Sequence, residues 1–509
     1  MSNKKLILHW FQASAWYTLY ATAIICATAF IFVFYYRSCH GLRSFPGPFY
    51  ASFTNLWKAY HTYKGDFEHV LLDCHRKYGK VVRIGPNHLD VSDAQAVKAI
   101  YGTGRAFSKS NYYDAFTALR PNLFGARDEE IHSARRKACS GSFSVQSVTA
   151  MEPFIDVCLQ QLLTRLDEAA IAGEVIDLKR WIAFFVLDVL GELAFSKSFG
   201  ILQSGRESDM PPIREHVLLA SVSGTMPWLI PYINKFVPKI PILSLQRMIR
   251  GRSQLRQLAI TFVNSRIASQ SDRKDLLGRL LDELEAGVDS KGNKFELQDI
   301  QTEAFGFIVA GSHTTAATTT LLMWHLLHNE TAYATLVKEL DSKTANNHSD
   351  FSYPYSSFVN LPYLQAAVTE NFRISPVFTM PLPRVVPVEG RTIAGSFIPG
   401  GTDVSICNHA LHHDPDVFGE DLETFKPERW LQDSYNKSQY LMPFGAGHRA
   451  CIGRNIATME ICKMVGSILS RYNVELVDKA SSTCSMPKTT SFGVADLDGR
   501  LLVRLKKRV

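Results

Sequence analysis

The sequence predicts a mainly helical protein with small β-sheets, preceded by a single transmembrane helix. Three observations support this fold class. An uncharged and mostly apolar run of 20 residues extends from Tyr17 to Tyr36, close to the start of the chain. Residues 150–300 have mostly helical patterns. Short segments beside Gly and Pro, at 80–91 and 392–407, are typical of small strands joined by tight turns.

Composition excludes several classes of protein. The 509 residues are 46% hydrophobic and 20% charged, which is typical of a globular protein with one unusually apolar segment. A net charge of +7 without a Lys/Arg cluster gives no sign of a nucleic-acid-binding surface. The nine cysteines are spread singly, without a C-x-x-C pair, which argues against a disulfide scaffold and a zinc ribbon. A reducing compartment suits this cysteine usage.

The apolar run at 17–36 is long enough to cross a bilayer as one helix. Tyrosines and Trp16 lie at its ends, as in the aromatic belts of membrane interfaces. A signal peptide has a shorter apolar core, so we predict an uncleaved anchor. We assign residues 1–44 to the anchor and its linker and residues 45–509 to one globular domain. Proline and glycine at 45–48 predict a stiff turn between the two.

The next hundred residues begin with a helix and a hairpin. The pattern predicts a helix over 66–78, then strands at Lys80–Ile84 and His88–Val91 around a Gly-Pro-Asn turn. A second helix is predicted from Asp93 to Tyr101, with Ser92 as its cap.

His132 and Arg136 are four residues apart in a helical segment, so they share one face of the helix. Two donors on one face can hold carboxylates. An ordinary solvated basic face is the alternative. Further on, the helical region is interrupted at 224–231, and the apolar, proline-rich stretch at 237–243 is compatible with a buried loop over the core.

A long apolar helix is predicted from about Leu297 to Leu327, with Ala310, Gly311, His313 and Thr314 in its middle. Glycine inside a helix costs roughly 1 kcal/mol, so its presence asks for a reason. The Thr314 hydroxyl can compete for a carbonyl of the helix itself and open a small groove. Such a groove can hold oxygen and water beside a metal. The alternative is a threonine-rich helix packed in the core.

Two charged clusters follow. Glu370 and Arg373 are three residues apart and can pair along a helix, a contact worth tenths of a kcal/mol when exposed. A second arginine, Arg429, follows a Pro-Glu pair. Between them, Arg384 lies in a predicted strand at 380–387, and short strands are predicted at 392–398 and 403–407.

The most informative segment is the glycine-rich loop 444–453, which contains Cys451 and is followed by a helix to about Tyr472. Glycines let a backbone approach a flat partner closely. The start of a helix offers free N–H groups and a positive dipole, which favour a thiolate. Arg449 can pair with a carboxylate of the same ligand. An anionic sulfur in such a loop suits the axial position of a haem iron. The alternative is a buried, inert cysteine.

This loop resembles that of the cytochromes P-450, the haem-thiolate monooxygenases, whose pattern is F-x-x-G-x-R-x-C-x-G. Phe444, Gly447, Arg449, Cys451 and Gly453 match every fixed position. The motifs around Gly311 and Thr314, the E-x-x-R turn and the H-x-x-x-R helix also match patterns of this family. One position departs: where the family has an acidic residue, this chain has a histidine, which leaves the route of protons open.

The resemblance implies the cytochrome P-450 fold, with haem b held between the long helix and the cysteine loop. It implies roles for individual residues, which can be grouped by function. Cys451 is the axial ligand of the iron; Arg449, His132, Arg136 and Arg384 bind the haem propionates, within a loop shaped by Phe444, Gly447 and Gly453. Ala310, Gly311, His313 and Thr314 are catalytic. Glu370, Arg373 and Arg429 form a buried structural network. Phe307, Val377, Phe378 and Met380 line the substrate pocket. The stretch 224–243 roofs the pocket and dips into lipid.

The activity implied by the resemblance is oxidation of an apolar small molecule with O2. Because the chain has no flavin or nicotinamide motif, electrons from NADPH must arrive through a partner, NADPH–cytochrome P-450 reductase, with cytochrome b5 open as a second donor. Several motif variants resemble those of filamentous fungi, which implies secondary metabolism, in the endoplasmic reticulum membrane with the domain facing the cytosol. Two alternatives stay open: a same-fold enzyme that isomerises, dehydrates or couples its substrates without inserting oxygen, and a haem sensor.

Overall fold

The computed structural model describes residues 2–104, 106–237, 240–269, 272–289, 291–344, 353–431, 437–477 and 486–508. Side chains are described from residue 16 onward, except those of residues 38 and 234. Within this part of the chain, helices dominate and the strands are short, which confirms the predicted fold class.

Thirteen α-helices are described before residue 290. They are α1 (Ser2–Phe34), α2 (Leu56–Lys64), α3 (Phe67–Tyr78), α4 (Ala94–Tyr101), α5 (Glu129–Ser140), α6 (Val145–Ala150), α7 (Glu152–Ala172), α8 (Leu178–Phe195), α9 (Ile201–Ser204), α10 (Ile213–Gly224), α11 (Ile230–Phe236), α12 (Leu243–Ala268) and α13 (Gly278–Ala286). The described part of the remaining chain adds α14 (Leu297–His328), α15 (Glu330–Thr344), α16 (Pro362–Ile374), α17 (Asn408–His412), α18 (Pro415–Phe418) and α19 (Arg454–Arg471).

The strands form small sheets at the edges of the helical body. They are β1 (Val81–Gly85), β2 (His88–Val91), β3 (Ser108–Lys109), β4 (Val175–Asp177), β5 (Arg384–Val385), β6 (Arg391–Ile393), β7 (Ser396–Ile398), β8 (Asp403–Ser405), β9 (Tyr472–Leu476), β10 (Thr489–Ser491), β11 (Ala495–Leu497) and β12 (Leu502–Lys507). The largest sheet has the order β1-β2-β8-β5-β3, in which β2 and β8 run parallel and the other pairs antiparallel. A second sheet has the order β4-β12-β9, and β6–β7 and β10–β11 are hairpins.

Two local predictions are wrong in detail. The cap of α4 is Asp93, whose carboxylate accepts hydrogen bonds from the backbone N–H groups of the first turn, and not Ser92. The strand predicted at 392–398 is a hairpin, because Ala394 and Gly395 both adopt positive φ and turn the chain back. The predicted helix at 66–78 and the first hairpin are confirmed.

The long helix α14 passes through the centre of the domain. It begins with a capping box, in which the Glu296 carboxylate accepts the backbone N–H of Asp299 and the Asp299 carboxylate accepts the backbone N–H of Glu296. Helices α8, α12, α16 and α19 pack around it, and the hairpin strand β11 lies alongside. Most of its apolar side chains are buried, including Ile308 and Leu321 at 0% exposure. Helix α14 therefore packs between helices that precede it and helices that follow it in the chain.

The first helix stands outside this core. Among the described residues, Trp16–Arg37 is the one stretch long and apolar enough to cross a membrane, with a mean hydropathy of 1.9 and none of it buried. Its end is joined to the domain by Arg83 of β1, whose guanidinium donates to the Tyr36 carbonyl at 2.9 Å and to the Pro86 carbonyl at 2.8 Å. Helix α1 is thus a candidate membrane anchor that is joined to the domain by specific hydrogen bonds.

The interruption at 224–231 lies between α10 and α11, as predicted. A buried loop at 237–243 is excluded for the described residues there, because Ile242 and Leu243 are exposed, as are Trp228 and Phe236 nearby. Residues 238 and 239 lie outside the described part of the chain. Together these side chains form an exposed apolar surface.

Candidate functional site

The loop around Cys451 is closed by its own backbone. The Cys451 N–H donates to the Phe444 carbonyl at 2.7 Å, and α19 begins at Arg454. Gly447 adopts a φ of +66° and lies against the Tyr101 carbonyl so closely that no Cβ would fit. The glycines of this loop are therefore required both for its conformation and for its contact with α4.

Cys451 is exposed to solvent, although many protein atoms lie around its sulfur. Burial raises the pKa of its thiol above the ordinary value. The backbone N–H groups of Gly453 and Arg454 and the charge of Arg136 lower that pKa but do not outweigh burial. The predicted effect of the helix start is present but does not decide the outcome, because the net shift of the Cys451 pKa is upward and favours the thiol. A cation bonded to the sulfur would favour the thiolate.

Three buried cations gather beside this loop. Arg449 is 4% exposed and donates to Glu129 at 3.1 Å and to the Ala126 carbonyl at 2.6 Å. Arg384, on β5, donates to the Tyr113 hydroxyl at 2.6 Å. Lys109, on β3, donates to the Phe124 carbonyl at 2.5 Å. Of the three cations, Arg449 alone pairs with a carboxylate among the described contacts.

The electrostatics of this group are unfavourable without an anion. Burial lowers the pKa of Lys109 far below its ordinary value, and the charges of Arg384 and Arg449 add to the effect. Burial likewise lowers the pKa of Arg449, which Glu129 opposes. The pKa of His132 falls to about 3, through burial first and then through Arg449 and Lys109. A dianion placed between these side chains would relieve this repulsion.

Helix α5 supplies the fourth side of the group. Asp128 caps the helix, and its first turn carries Glu129. His132 is buried, and Arg136, one turn further on, donates to the Ala450 carbonyl at 2.6 Å. The shared face predicted from the spacing of His132 and Arg136 thus lies against the cysteine loop.

On α14, the segment around Ala310 differs from the rest of the helix. Ala310 is exposed and Gly311, His313 and Thr314 are partly exposed, whereas residues 315–326 are buried. The Thr314 hydroxyl donates to the Ala310 carbonyl at 2.7 Å, the competition for a helix carbonyl that the sequence suggests. His313 lies 3.4 Å from Asp496 of β11, measured from Nε2 to Oδ2.

The charged pair on α16 is completely buried. Arg373 donates to both carboxylate oxygens of Glu370, at 2.8 and 2.9 Å, and both side chains are 0% exposed. The Arg429 Nε lies 3.5 Å from Glu370, and the Trp430 indole donates to it at 2.8 Å. Phe372 of the same helix packs edge-on against Phe444, with ring centres 5.2 Å apart. The helix that carries the buried charge network thus also contacts the cysteine loop through Phe372.

The four residues predicted to line a pocket fall into two groups. Val377, Phe378 and Met380 lie along the C-terminal hairpin: Ala495 donates to the Val377 carbonyl at 2.7 Å, Phe378 forms a bridge with Val494, and Met380 donates its N–H to Gly493. Phe307 is buried and packs against Phe143, with ring centres 5.5 Å apart. Among the described contacts, none joins Phe307 to the other three predicted pocket residues.

The family model described as cytochrome P-450 matches residues 45–503, most of the chain. The chain is a cytochrome P-450. It is 35% identical to the cytochrome P-450 monooxygenase cicH of Emericella nidulans, over 88% of this chain and 91% of that protein. It is 33% identical to the cytochrome P-450 monooxygenase gsfF of Penicillium aethiopicum, over 88% and 91% of the two chains. It is 31% identical to the benzoate 4-monooxygenase bphA of Aspergillus niger, over 87% and 89%.

Membership of the family makes the chain a monooxygenase that uses haem b, O2 and electrons supplied from NADPH through a reductase. The donor set described above fits this cofactor. The Cys451 thiol lies in a tight loop and can bind the iron. The buried cations beside the loop repel one another and can bind the two propionates of a haem. Among the described contacts, the three buried cations of this cytochrome P-450 have between them one carboxylate partner, Glu129. This excess of positive charge indicates a site for a dianionic ligand.

Several residues of this group are absent from the sequence-based assignment. Lys109 and Tyr113 lie in a short strand and a 3-10 turn without a motif, so no local signal marks them. Asp496, opposite His313, is likewise part of an ordinary hairpin. Glu129 was within reach of sequence reasoning, because it lies three residues before His132 on the same predicted helix.

Proposed function

We propose that this cytochrome P-450 hydroxylates or otherwise oxidises an apolar small molecule in fungal secondary metabolism. Two features support an apolar substrate: the side chains along the C-terminal hairpin, Val377, Phe378 and Met380, and the family itself. The relatives cicH, gsfF and bphA all come from filamentous fungi, and the name of bphA specifies benzoate, which favours a compound with a small aromatic ring.

We assign the electron supply to NADPH–cytochrome P-450 reductase, with cytochrome b5 as an optional second donor. The anchor, residues 1–44, would hold the catalytic domain, residues 45–509, on the cytosolic face of the endoplasmic reticulum. An exposed apolar helix at the start of the chain supports attachment to a membrane, and so does the exposed apolar surface at Trp228, Phe236 and Leu243. The membrane and the face are proposed from the family resemblance.

The haem, when bound, supplies the activation of oxygen. Cys451 would hold the haem iron through its sulfur, and a metal bond would keep that sulfur as the thiolate despite burial. Arg449, Arg384 and Lys109, with His132 and Arg136 of α5, would hold the propionates and so would orient the ring. Phe444, Gly447 and Gly453 shape the loop.

On α14, Ala310 is exposed and leaves room beside the helix, and the Thr314 hydroxyl passes protons there. Gly311 contributes by close packing of α14 against α8, because an added Cβ would lie 3.0 Å from the Leu190 side chain. His313 is the adjacent group able to take up and release a proton. The pair Glu370 and Arg373, with Arg429, has a structural role because its members contact one another and backbone carbonyls. Phe307, Val377, Phe378 and Met380 are the proposed pocket residues.

The observation that carries the proposal is the thiol of Cys451 beside a set of mutually repelling buried cations. Replacing Cys451 with alanine should abolish the red-shifted Soret band of the reduced carbon-monoxide complex, because that band requires a thiolate ligand. Cys462→Ala is the matched control, since Cys462 is a buried cysteine of the adjoining helix α19. A Cys451→Ala protein that keeps the shifted band would overturn the assignment.

Incorporation of oxygen separates this proposal from its alternatives. Microsomes that contain the chain and its reductase are supplied with candidate apolar compounds under heavy oxygen gas. Mass-labelled product supports a monooxygenase reaction. Product without label indicates isomerisation, dehydration or oxidative coupling, and a haem protein without reductase-dependent turnover of any compound indicates a sensor.

A further inference from the structure

Three side chains from distant parts of the chain meet beside the middle of α14. The Nε2 atom of His313 lies 3.4 Å from Oδ2 of Asp496 on β11. The Nζ atom of Lys179, at the start of α8, lies 2.9 Å from the same oxygen and also donates to the Leu497 carbonyl. Each of the three is about one quarter exposed, so the group lies at the boundary between the interior and solvent.

The direction of the hydrogen bond follows from the charge of the carboxyl group. Burial pushes the pKa of Asp496 up, but the contacts with His313 and Lys179 outweigh it and hold that pKa below its ordinary value. An ionised carboxylate can only accept hydrogen bonds. His313 must therefore carry a proton on Nε2, and in the neutral imidazole Nδ1 is then the free acceptor.

That Nδ1 atom is buried and has no hydrogen-bond partner among the described residues. An unsatisfied buried nitrogen costs about 1–3 kcal/mol, so an orphaned atom of this kind asks for an explanation. The next residue, Thr314, already donates its hydroxyl to the helix carbonyl of Ala310 at 2.7 Å. The vacant acceptor on His313 is thus adjacent in sequence to the hydroxyl proposed to pass protons.

We propose that Asp496, held by Lys179, is a positioning residue that fixes His313 in the tautomer able to relay protons to Thr314. Nδ1 takes up one proton from a hydronium ion that enters the proposed groove beside α14, which leaves a water molecule, and the Asp496 carboxylate stabilises the imidazolium so formed. The same proton then leaves from Nδ1 towards the Thr314 side, which returns His313 to its neutral form. Uptake breaks one O–H bond of the donor and makes the Nδ1–H bond, and release breaks the Nδ1–H bond and makes one O–H bond on the acceptor; no oxidation state changes.

This arrangement explains how the chain manages without an acidic residue at position 313. A carboxylate is still present near the helix, but it reaches there from the C-terminal hairpin and acts through an imidazole. The inference rests on the proposed function, since it assigns a task to groups beside the proposed oxygen groove.

The test compares Asp496→Asn with Asp498→Asn, a control in the chain segment directly after β11 whose carboxylate pairs with Lys488 at 3.3 Å. Full-length holoenzyme is assayed with reductase and NADPH, and no organic substrate is added. We expect Asp496→Asn to slow NADPH oxidation on the order of tenfold, as for loss of a residue that orients a histidine. The ratio of the rates in H2O and D2O should rise. Asp498→Asn should match the unmutated protein.

Two further measurements exclude a merely structural role. The infrared C–O stretching band of the reduced carbon-monoxide complex reports polarity beside the haem without turnover, and it should shift in Asp496→Asn and not in Asp498→Asn. In a His313→Gln background, adding Asp496→Asn should have no further effect on the isotope ratio, because Asp496 acts through His313. Asp496→Glu, which keeps the carboxylate, should restore most of the rate.

The inference is overturned if Asp496→Asn and Asp498→Asn share the same isotope ratio and the same C–O band, or if Asp496→Asn acts fully without His313. Should Asp496→Asn not accumulate as holoenzyme, Lys179→Met tests the same group, since an unrestrained carboxylate should raise the isotope ratio, and an unchanged ratio contradicts the proposal. A thiolate band missing from the unmutated protein would instead overturn the proposed function itself.

Discussion

At the scale of single residues, buried ionisable side chains decide much of the chemistry of this protein. Some are neutralised by a partner, as Glu370 is by Arg373. Others are buried with little compensation. Glu68 of α3 is 2% exposed, one of its oxygens has no hydrogen bond among the described residues, and the ring nitrogen of His69, whose pKa is lowered by burial, is 3.9 Å away. Such residues make the stability of the fold depend on pH.

Glu68 gives the first prediction. Burial raises the pKa of its carboxyl group from 4.5 to about 8. The folded protein therefore holds a proton that the unfolded chain loses above its own lower pKa. The stability contributed by this group is fully present below pH 4.5 and is lost as the pH rises towards 8.

Replacing Glu68 with glutamine removes this titration. The unfolding free energy of Glu68→Gln, relative to that of the unmutated protein, should therefore increase between pH 5 and pH 8 by up to about 1.4 kcal/mol per pH unit. The difference between the two melting temperatures should increase with it. Glu285→Gln, at an exposed position of α13, is the control. A difference between Glu68→Gln and the unmutated protein that stays constant with pH would contradict the prediction.

At the scale of elements, the cysteine loop is defined by what its glycines exclude. Gly445 and Gly447 both have a φ near +67°, at +67° and +66°. They differ in their surroundings: a Cβ on Gly445 would meet no atom closer than 3.9 Å, whereas one on Gly447 would overlap the Tyr101 carbonyl. Backbone strain is common to the two positions, and steric contact with α4 is specific to Gly447.

This contrast predicts different outcomes for the two alanine variants. Gly445→Ala should cost only the strain of a left-handed residue, about 1–2 kcal/mol. Gly447→Ala must in addition push the loop away from α4, and so should lose most of its bound haem. The ratio of Soret to protein absorbance measures this loss. Equal haem content in the two variants would show that the contact with Tyr101 is unimportant.

The Glu370 network gives a second prediction at this scale. Truncating Glu370 to alanine leaves Arg373 buried and without its carboxylate partner, which should cost about 3–5 kcal/mol of unfolding free energy. Glu168→Ala is the matched control, because Glu168 pairs with Arg165 at the same helical spacing on α7 but in an exposed position. We expect the control to cost about 0.5 kcal/mol or less. Denaturant unfolding measures both, and equal costs would count against the role of burial.

At the scale of the whole molecule, the anchor and the domain are joined by specific contacts. The Pro46 carbonyl accepts the Arg83 N–H at 2.7 Å, Leu42 is 1% exposed, and the Arg83 guanidinium reaches back to Tyr36. The linker is therefore part of the folded body up to the end of the apolar helix. This arrangement fixes where the helix leaves the domain.

Two truncations test this organisation. Removal of residues 2–34 should convert the protein from one that resists alkaline carbonate extraction of membranes to one that is extracted, since the apolar span is lost. Its melting temperature should stay close to that of the full chain. Removal of residues 2–44 should give the same extraction and a lower melting temperature, because buried Leu42 and the contacts of Arg83 are also lost. A carbonate-resistant 2–34 deletion would show that α1 is not the anchor.

Local chemistry made part of this protein predictable from its sequence. The long helix and the apolar span are recognisable from periodicity and length. The motif around Cys451 is recognisable because its residues lie close together in one loop, 444–453. Such features depend on neighbours in the chain. Where the local signal was ambiguous, as at Ala394 and Gly395 or at the cap of α4, the prediction failed in detail.

Only the tertiary structure brought together groups that are far apart in the chain. Lys109 meets Arg384 because β3 pairs with β5, and Asp496 meets His313 across 183 residues because a C-terminal hairpin lies along α14. No periodicity marks such meetings, since they depend on how helices and hairpins pack. The sequence by itself determined the thiol, the long helix and the anchor, whereas packing decided which charges surround the first two.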